Sequence, residues 1–155
     1  MNSYSELRKV DFADLSNLRF ECFLGEVQSR SDRPVLVIRF AGEYRHGSAG
    51  EPDARFMFAM LAAAFQAWEC WAVILDLSGL SYEWGDDIDG LWAMQPLQWA
   101  GGEYPMALIV GAQSERALAS LYYDRNLERT SFSEPWVFRD MAAGLKHIED
   151  ELAKI

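Results

Sequence analysis

Seven consecutive residues, Glu83-Trp84-Gly85-Asp86-Asp87-Ile88-Asp89, place four carboxylates and an indole in one short stretch. Carboxylates this close can hold a divalent cation, work as an acid-base pair, or face a cationic partner. A calcium loop needs oxygen ligands at alternating positions and a distal bidentate acid, and Trp84 and Ile88 interrupt that pattern, so no metal is expected. Asp86, Asp87 and Asp89 also suit the first turn of a helix, where acids meet the positive end of the macrodipole. Capping does not account for Trp84. An aromatic flanked by acids is a common composition at protein interfaces, although Trp84 can equally fold inward over the core. The candidate partner-binding residues are Tyr82, Glu83, Trp84, Gly85, Asp86, Asp87, Asp89 and Trp92.

Other chemistries find less support. His46 and His147 are the only histidines. His147 stands beside Lys146, Glu149 and Asp150 and is expected in solvent. His46 lies in the loop Tyr44-Arg45-His46-Gly47-Ser48 and can pair with a carboxylate, but no motif surrounds a nucleophile, so no catalytic residue is expected. Gly42, Gly47 and Gly50 match neither a P-loop nor a dinucleotide fingerprint, and no cofactor is expected. Cys22 and Cys70 sit in apolar pattern and read as reduced core residues.

The 155 residues carry 24 acidic and 14 basic side chains, a formal net charge of -10, which repels nucleic acid and anionic lipid and favours a basic protein partner. Acidity also serves solubility alone. The longest apolar run, from Phe56 to Phe65, is too short to span a bilayer, and residues 1–6 do not resemble a signal peptide. A cytoplasmic protein of one domain, residues 1–155, is expected, with 1–33 forming an N-terminal extension and a first hairpin strand.

The elements that must position the acidic turn follow from periodicity. Leu18, Phe20, Cys22 and Leu24 alternate with Arg19 and Glu21, marking a half-buried strand. A turn from Ser29 to Pro34 leads into the strand Val35-Leu36-Val37-Ile38-Arg39-Phe40. After a glycine-rich loop, Glu51-Pro52-Asp53 opens a helix that runs from Ala54 to Glu69. That helix is apolar nearly all round from Phe56 to Phe65, so it is covered either by the N-terminal extension or by a second copy, and a homodimer through it is a candidate. Trp71-Ala72-Val73-Ile74-Leu75-Asp76-Leu77 reads as a strand buried on both faces. A helix from Asp86 or Asp87 to about Trp99, bent or shortened by Pro96, comes next. A strand from Pro105 to Val110 and a helix from Ser114 to Asp124 with a cap-like start follow. An edge strand from Pro135 to Phe138 precedes a last helix carrying Met141, Leu145, Ile148 and Leu152. The class is α/β, a mixed β-sheet with packed helices in the order ββαβαβαβα. The acidic turn falls at the carboxyl end of a strand, where open α/β sheets place their sites.

From about Pro34 to Leu152 the chain resembles the STAS domain of bacterial anti-sigma-factor antagonists. The likeness lies in Leu36-Val37-Ile38-Arg39-Phe40-Ala41-Gly42-Glu43, in Val73-Ile74-Leu75-Asp76-Leu77-Ser78-Gly79-Leu80, in Gly101-Gly102 ahead of the next strand, and in a final helix. The resemblance implies a partner-switching protein whose helix start binds an anti-sigma kinase and is released when a serine in an Asp-Ser-Ser-Gly turn is phosphorylated. At the matching positions this chain has Trp84, Gly85, Asp86 and Asp87, so the switch hydroxyl is missing. A carboxylate beside it carries about one charge against nearly two for a phosphate. A weaker resemblance, to the crotonase family, rests on Tyr82, Gly85, Asp87 and Ile88, which echo that family's oxyanion turn, and on the strand from Pro105. It implies acyl-CoA binding, but the second glycine-rich loop and the catalytic glutamates have no match. The expectation is a non-catalytic, acidic STAS-like module that binds a basic protein, as an immunity-type inhibitor or as a regulator without the serine.

Overall fold

In the computed structural model, which describes residues 6–27, 30–91 and 104–155, the first two strands run longer than their apolar alternation predicts. Strand β1 is Arg19–Val27 and β2 is Arg30–Glu43. They pair antiparallel from Arg19 against Ala41 to Gly25 against Val35, with an irregularity before Val27. Residues 30–34, expected as a turn, belong to β2. Beyond β2, strands β3 (Ala72–Ser81), β4 (Met106–Ile109) and β5 (Val137–Phe138) follow in parallel, giving the order β1-β2-β3-β4-β5. The mixed sheet therefore stands as expected, with β5 as its short edge.

Strand β3 continues four residues past Leu77, so Ser78, Gly79, Leu80 and Ser81 are strand rather than loop. Residues 72–77 are buried throughout because apolar layers cover both faces of the sheet. On one face Leu36, Ile38, Phe40, Val73, Leu75 and Leu77 pack with helix α1 (Glu51–Ala67) and with Leu118 and Ala119 of helix α2 (Glu115–Tyr122). On the other, Val35, Val37, Ile74, Ala107 and Ile109 pack with Ile148 and Leu152 of helix α3 (Met141–Leu152). Leu145 is exposed, and Gly144 takes the inward place because a Cβ there would sit 2.7 Å from Ile109. His147, expected in solvent, is half-buried against the Phe138 ring at 5.2 Å.

Helix α1 starts with Pro52 in its first turn and stops where Glu69 turns left-handed at φ 48. The chain's own sheet buries Phe56, Met57, Leu61 and Phe65, each such burial contributing about 1.5–3 kcal/mol. Among the described residues the N-terminal segment does not blanket the helix: Leu7, Val10 and Phe12 are exposed. Only Ser16 and Leu18 of that segment are buried among the described residues.

Cys22 corrects the sequence reading. Its strand lies at the sheet margin, where Phe56 of α1 reaches Phe20 but leaves Cys22 exposed. Cys70 is buried as expected, and burial pushes its thiol up to about 11. The helix expected as far as Trp99, with Pro96 and Gly101-Gly102, lies mainly outside the described residues. Its described beginning is a 3-10 turn, Ile88–Leu91.

Candidate functional site

The acidic turn is held by its backbone. The Tyr82 hydroxyl donates to the Gly85 carbonyl at 2.7 Å, and the Tyr44 hydroxyl donates to the Asp86 carbonyl. Both tyrosines are buried and meet edge to face at 5.3 Å. Burial, then the charges of Asp89 and Asp86, pushes the Tyr82 hydroxyl up to about 12. Burial likewise raises Tyr44, so both stay protonated donors at neutral pH. From the other side, the Asp86 amide donates to the Gly47 carbonyl at 3.0 Å and the Gly47 amide to the Trp84 carbonyl at 3.4 Å. Residues 44–50 thus clasp residues 82–86.

Gly85 lies inside that clasp. A Cβ at this position would come within 2.2 Å of the Arg45 carbonyl and 2.3 Å of the Tyr44 ring. No side chain fits without moving the Arg45 backbone and the Tyr44 ring.

The loop is itself anchored by Asp53, buried in the first turn of α1. Its carboxylate accepts from the Arg45 amide at 2.9 Å, from the Arg45 guanidinium at 3.0 and 3.1 Å, and from Ser16 at 2.5 Å. Desolvation pushes this carboxyl up, but hydrogen bonds from Arg45 and Ser16 outweigh it and hold it below the usual carboxylate range.

With its backbone engaged, the turn presents side chains. Glu83, Asp86, Asp87 and Asp89 are exposed and Trp84 is 62% exposed. That resolves the two readings of Trp84 in favour of the surface. His46, in the clasping loop, lies 5.4 Å from the Trp84 ring and 3.4 Å from Glu83, an ion pair when the imidazole is protonated. The carboxylates are not the helical first turn expected. Asp87 is left-handed at φ 71 and the 3-10 turn begins after it, leaving only Asp89 within it. No group of three or more metal-ligating side chains exists among the described residues.

Tyr82, Glu83, Trp84, Gly85, Asp86, Asp87 and Asp89 come together on one wall of a cleft of about 880 Å³; Trp92 lies outside the described residues. The far wall was not foreseen. Helix α2 and the segment after it contribute Arg116, Arg125 and Leu127, all exposed. Ser114, at the N-cap position ahead of α2, turns its hydroxyl to the Leu77 carbonyl at 3.3 Å instead of capping the helix, docking α2 beside β3. Arg125 and Asp124 are left-handed, at φ 60 and 59. No motif marks this wall in the sequence, because it reaches the acidic turn only through tertiary packing. Chemically the cleft can bind by charge and by aromatic contact. The Asp86 amide, spent on Gly47, is not free to stabilise an oxyanion.

No family model matches the sequence, and no curated protein does either. The fold does have solved counterparts. The crystal structure of an anti-sigma factor antagonist from Mycobacterium paratuberculosis superposes with a TM-score of 0.53 at 14% identity, over 85% of this chain and 96% of that one. The fold is that of a STAS domain. The anti-sigma factor antagonist SpoIIAA in its unphosphorylated form aligns with a TM-score of 0.48 at 17% identity, over 87% of this chain and 98% of that one. On this fold the acidic turn follows the central strand, β3, and the glycine at its centre is enclosed by the Tyr44 ring.

Proposed function

We propose that this chain is a non-catalytic, cytoplasmic STAS-like module that binds a basic protein at the cleft beside residues 82–89. One observation carries the reading. Trp84 stands in solvent among four carboxylates on a turn whose backbone is bonded to the rest of the chain. A preorganised aromatic anchor within a charged rim is the composition of an interface hot spot, and it loses little conformational freedom on binding. The partner's basic groups face Glu83, Asp86, Asp87 and Asp89, while Arg116 and Arg125 across the cleft take acceptors or an acidic group.

The serine-dependent switch of the resembled family has no counterpart at Gly85, where neither a hydroxyl nor a Cβ has space. That favours a constitutive binder, an immunity-type inhibitor covering a basic toxin or nuclease, over a partner switch thrown by phosphorylation at this position. Along α1 the outward strip is Arg55, Ala59, Ala63 and Gln66, while Phe58 and Met60 are half-buried against the core, so a homodimer through this helix has little apolar surface to use.

Capture from the source cell tests the reading. One dominant basic protein is expected with the native chain and is lost with Trp84→Ala and with Asp86→Lys. With that protein purified, association slows as salt rises. Retention by both variants, or an association rate indifferent to ionic strength, removes the cleft as the contact.

A further inference from the structure

Strand β1 closes one side of the sheet, and among the described residues nothing pairs with its outer edge. Large apolar side chains stand open along it: Phe20 is 43% exposed, Phe23 45% and Leu24 49%, with Cys22 exposed between them. Proteins ordinarily blunt a free edge with charge, proline or a bulge. Here the irregularity comes only after Gly25, and residues 19–25 form a regular seven-residue ladder with β2. Side chains alternate across a strand, so Phe20, Cys22 and Leu24 lie on the α1 face and Arg19, Glu21 and Phe23 on the other. Phe20 leans on Phe56 of α1, with ring centroids 5.7 Å apart.

We propose that the β1 edge joins two copies of this chain. The two β1 strands run antiparallel about a two-fold axis at Cys22, perpendicular to the sheet, so that two five-stranded sheets become one. Three features select a second copy as the occupant.

The first is register. Residues directly opposed across antiparallel strands share a face, so the axis must pass through a residue, and an axis at Cys22 overlaps the whole regular stretch with itself. Moving the axis to Phe23 sets Phe20 against the partner's Glu26, and moving it to Glu21 sets two glutamates against each other.

The second is side-chain complementarity. At the Cys22 register every opposed pair on the α1 face is apolar: Phe20 with the partner's Leu24, Cys22 with the partner's Cys22, Leu24 with the partner's Phe20. Aromatic and aliphatic pairs opposed in this way stabilise sheets. On the other face Glu21 opposes the partner's Phe23.

The third is charge. A chain of net charge -10 repels its copy over most of its surface, but on this strip Arg19 and Arg39 stand against Glu21, Glu26 and the buried Asp76 that Arg39 bonds at 2.9 Å, which leaves it close to neutral. Arg39 lies 4.0 Å from Glu21 and 5.4 Å from the Phe23 ring, shielding the closest approach of acids across the axis.

A contact one strand wide falls below the roughly 800 Å² per partner of a standard interface, so the dimer is weak and forms as micromolar concentration rises. Sedimentation velocity over that range shows a dimer for the native chain and for Met60→Lys, a half-exposed position on the flank of α1. Leu24→Lys, an exposed substitution that leaves the circular dichroism spectrum unchanged, stays monomeric. A short bis-maleimide joins two native chains through Cys22; Cys70→Ala still cross-links and Cys22→Ala does not. A monomer at every concentration, or a dimer that survives Leu24→Lys, overturns the proposal. Loss of the dimer in Met60→Lys moves the contact to α1, and a Leu24-dependent dimer that never cross-links through Cys22 overturns the register.

Discussion

The turn around Trp84 and the edge along β1 both leave large hydrophobic side chains in solvent, and they are built in opposite ways. At the turn, the backbone is bonded to Tyr44, Tyr82 and Gly47, so only side chains face outward. Four carboxylates there face two guanidinium groups across a cleft. At β1 the charges nearly balance, and among the described residues the outer edge pairs with no strand. Exposure alone therefore does not identify a partner. A rigid, charged turn suits a foreign surface of complementary sign, whereas a neutral strand edge suits a strand, and its own copy supplies one in register.

The sharpest test of this contrast is a pair of glycines. Gly85→Ser drives a Cβ into the Arg45 carbonyl and the Tyr44 ring and is expected to cost about 3 kcal/mol, the upper range of overpacking. In a chain of this size that lowers the melting temperature by roughly 6–12 °C. Gly25→Ser on β1 meets nothing nearer than the Val35 carbonyl at 4.0 Å and is expected to stay within about 0.5 kcal/mol of the parent. Equal losses in thermal melts would mean that the turn is as yielding as the edge.

Next in size is Asp53→Asn, because this carboxylate serves both regions, gripping Arg45 below the turn and Ser16 ahead of β1. Replacing a charged acceptor is expected to cost about 2 kcal/mol at neutral pH. The pH dependence has a definite sign. The folded carboxyl is held below its unfolded value, so its stabilisation is complete above the ordinary carboxylate range and fades as pH falls through the folded value. The gap between urea melts of parent and variant should begin to close below about pH 4, where the unfolded carboxyl takes up its proton, and close further as pH falls through the folded value. A gap that persists unchanged into acid would show that the charge of Asp53 is not what anchors the clasp.

Tyr82→Phe comes third. It deletes the donor to the Gly85 carbonyl at 2.7 Å while keeping the ring, for an expected loss of about 1 kcal/mol. If partner binding falls by more than that free energy, the hydroxyl's role is to preorganise the turn. Equal losses reduce it to a stability contact.

Much of the fold was legible because its cues are local. The run ending at Leu77, the Glu51-Pro52-Asp53 start and the spacing of Ile148 and Leu152 each carry their own periodicity. Strand ends were not, since Ser78 to Ser81 and residues 30–34 become strand only by pairing with neighbours. Cys22 misled for a related reason. Alternation shows which residues share a face, but not which of them a helix covers: Phe56 reaches Phe20 and leaves Cys22 open. At the site, the acidic turn and Trp84 were visible as composition. Tyr44, Arg116, Arg125 and Leu127 were not, because they arrive from distant segments and carry no signature of their own.

The smallest effect on stability is expected from the substitutions that separate the two regions most cleanly. Trp84 and Leu24 are both substantially exposed, so Trp84→Ala and Leu24→Lys should each change folding free energy by less than about 0.5 kcal/mol. Their consequences for assembly should not overlap. Trp84→Ala is expected to abolish capture of the proposed basic partner and to leave self-association intact, because the β1 ladder does not involve the turn. Leu24→Lys abolishes self-association and leaves the cleft's charges and aromatic anchor in place. Crossing the two variants in capture and in sedimentation gives four results. If Leu24→Lys also weakens partner capture, the two surfaces are coupled, and Asp53, bonded to both Arg45 and Ser16, is the connection to test. Independence in all four would establish that the protein carries two surfaces with two partners, distinguished by charge and by whether the backbone is free to bond.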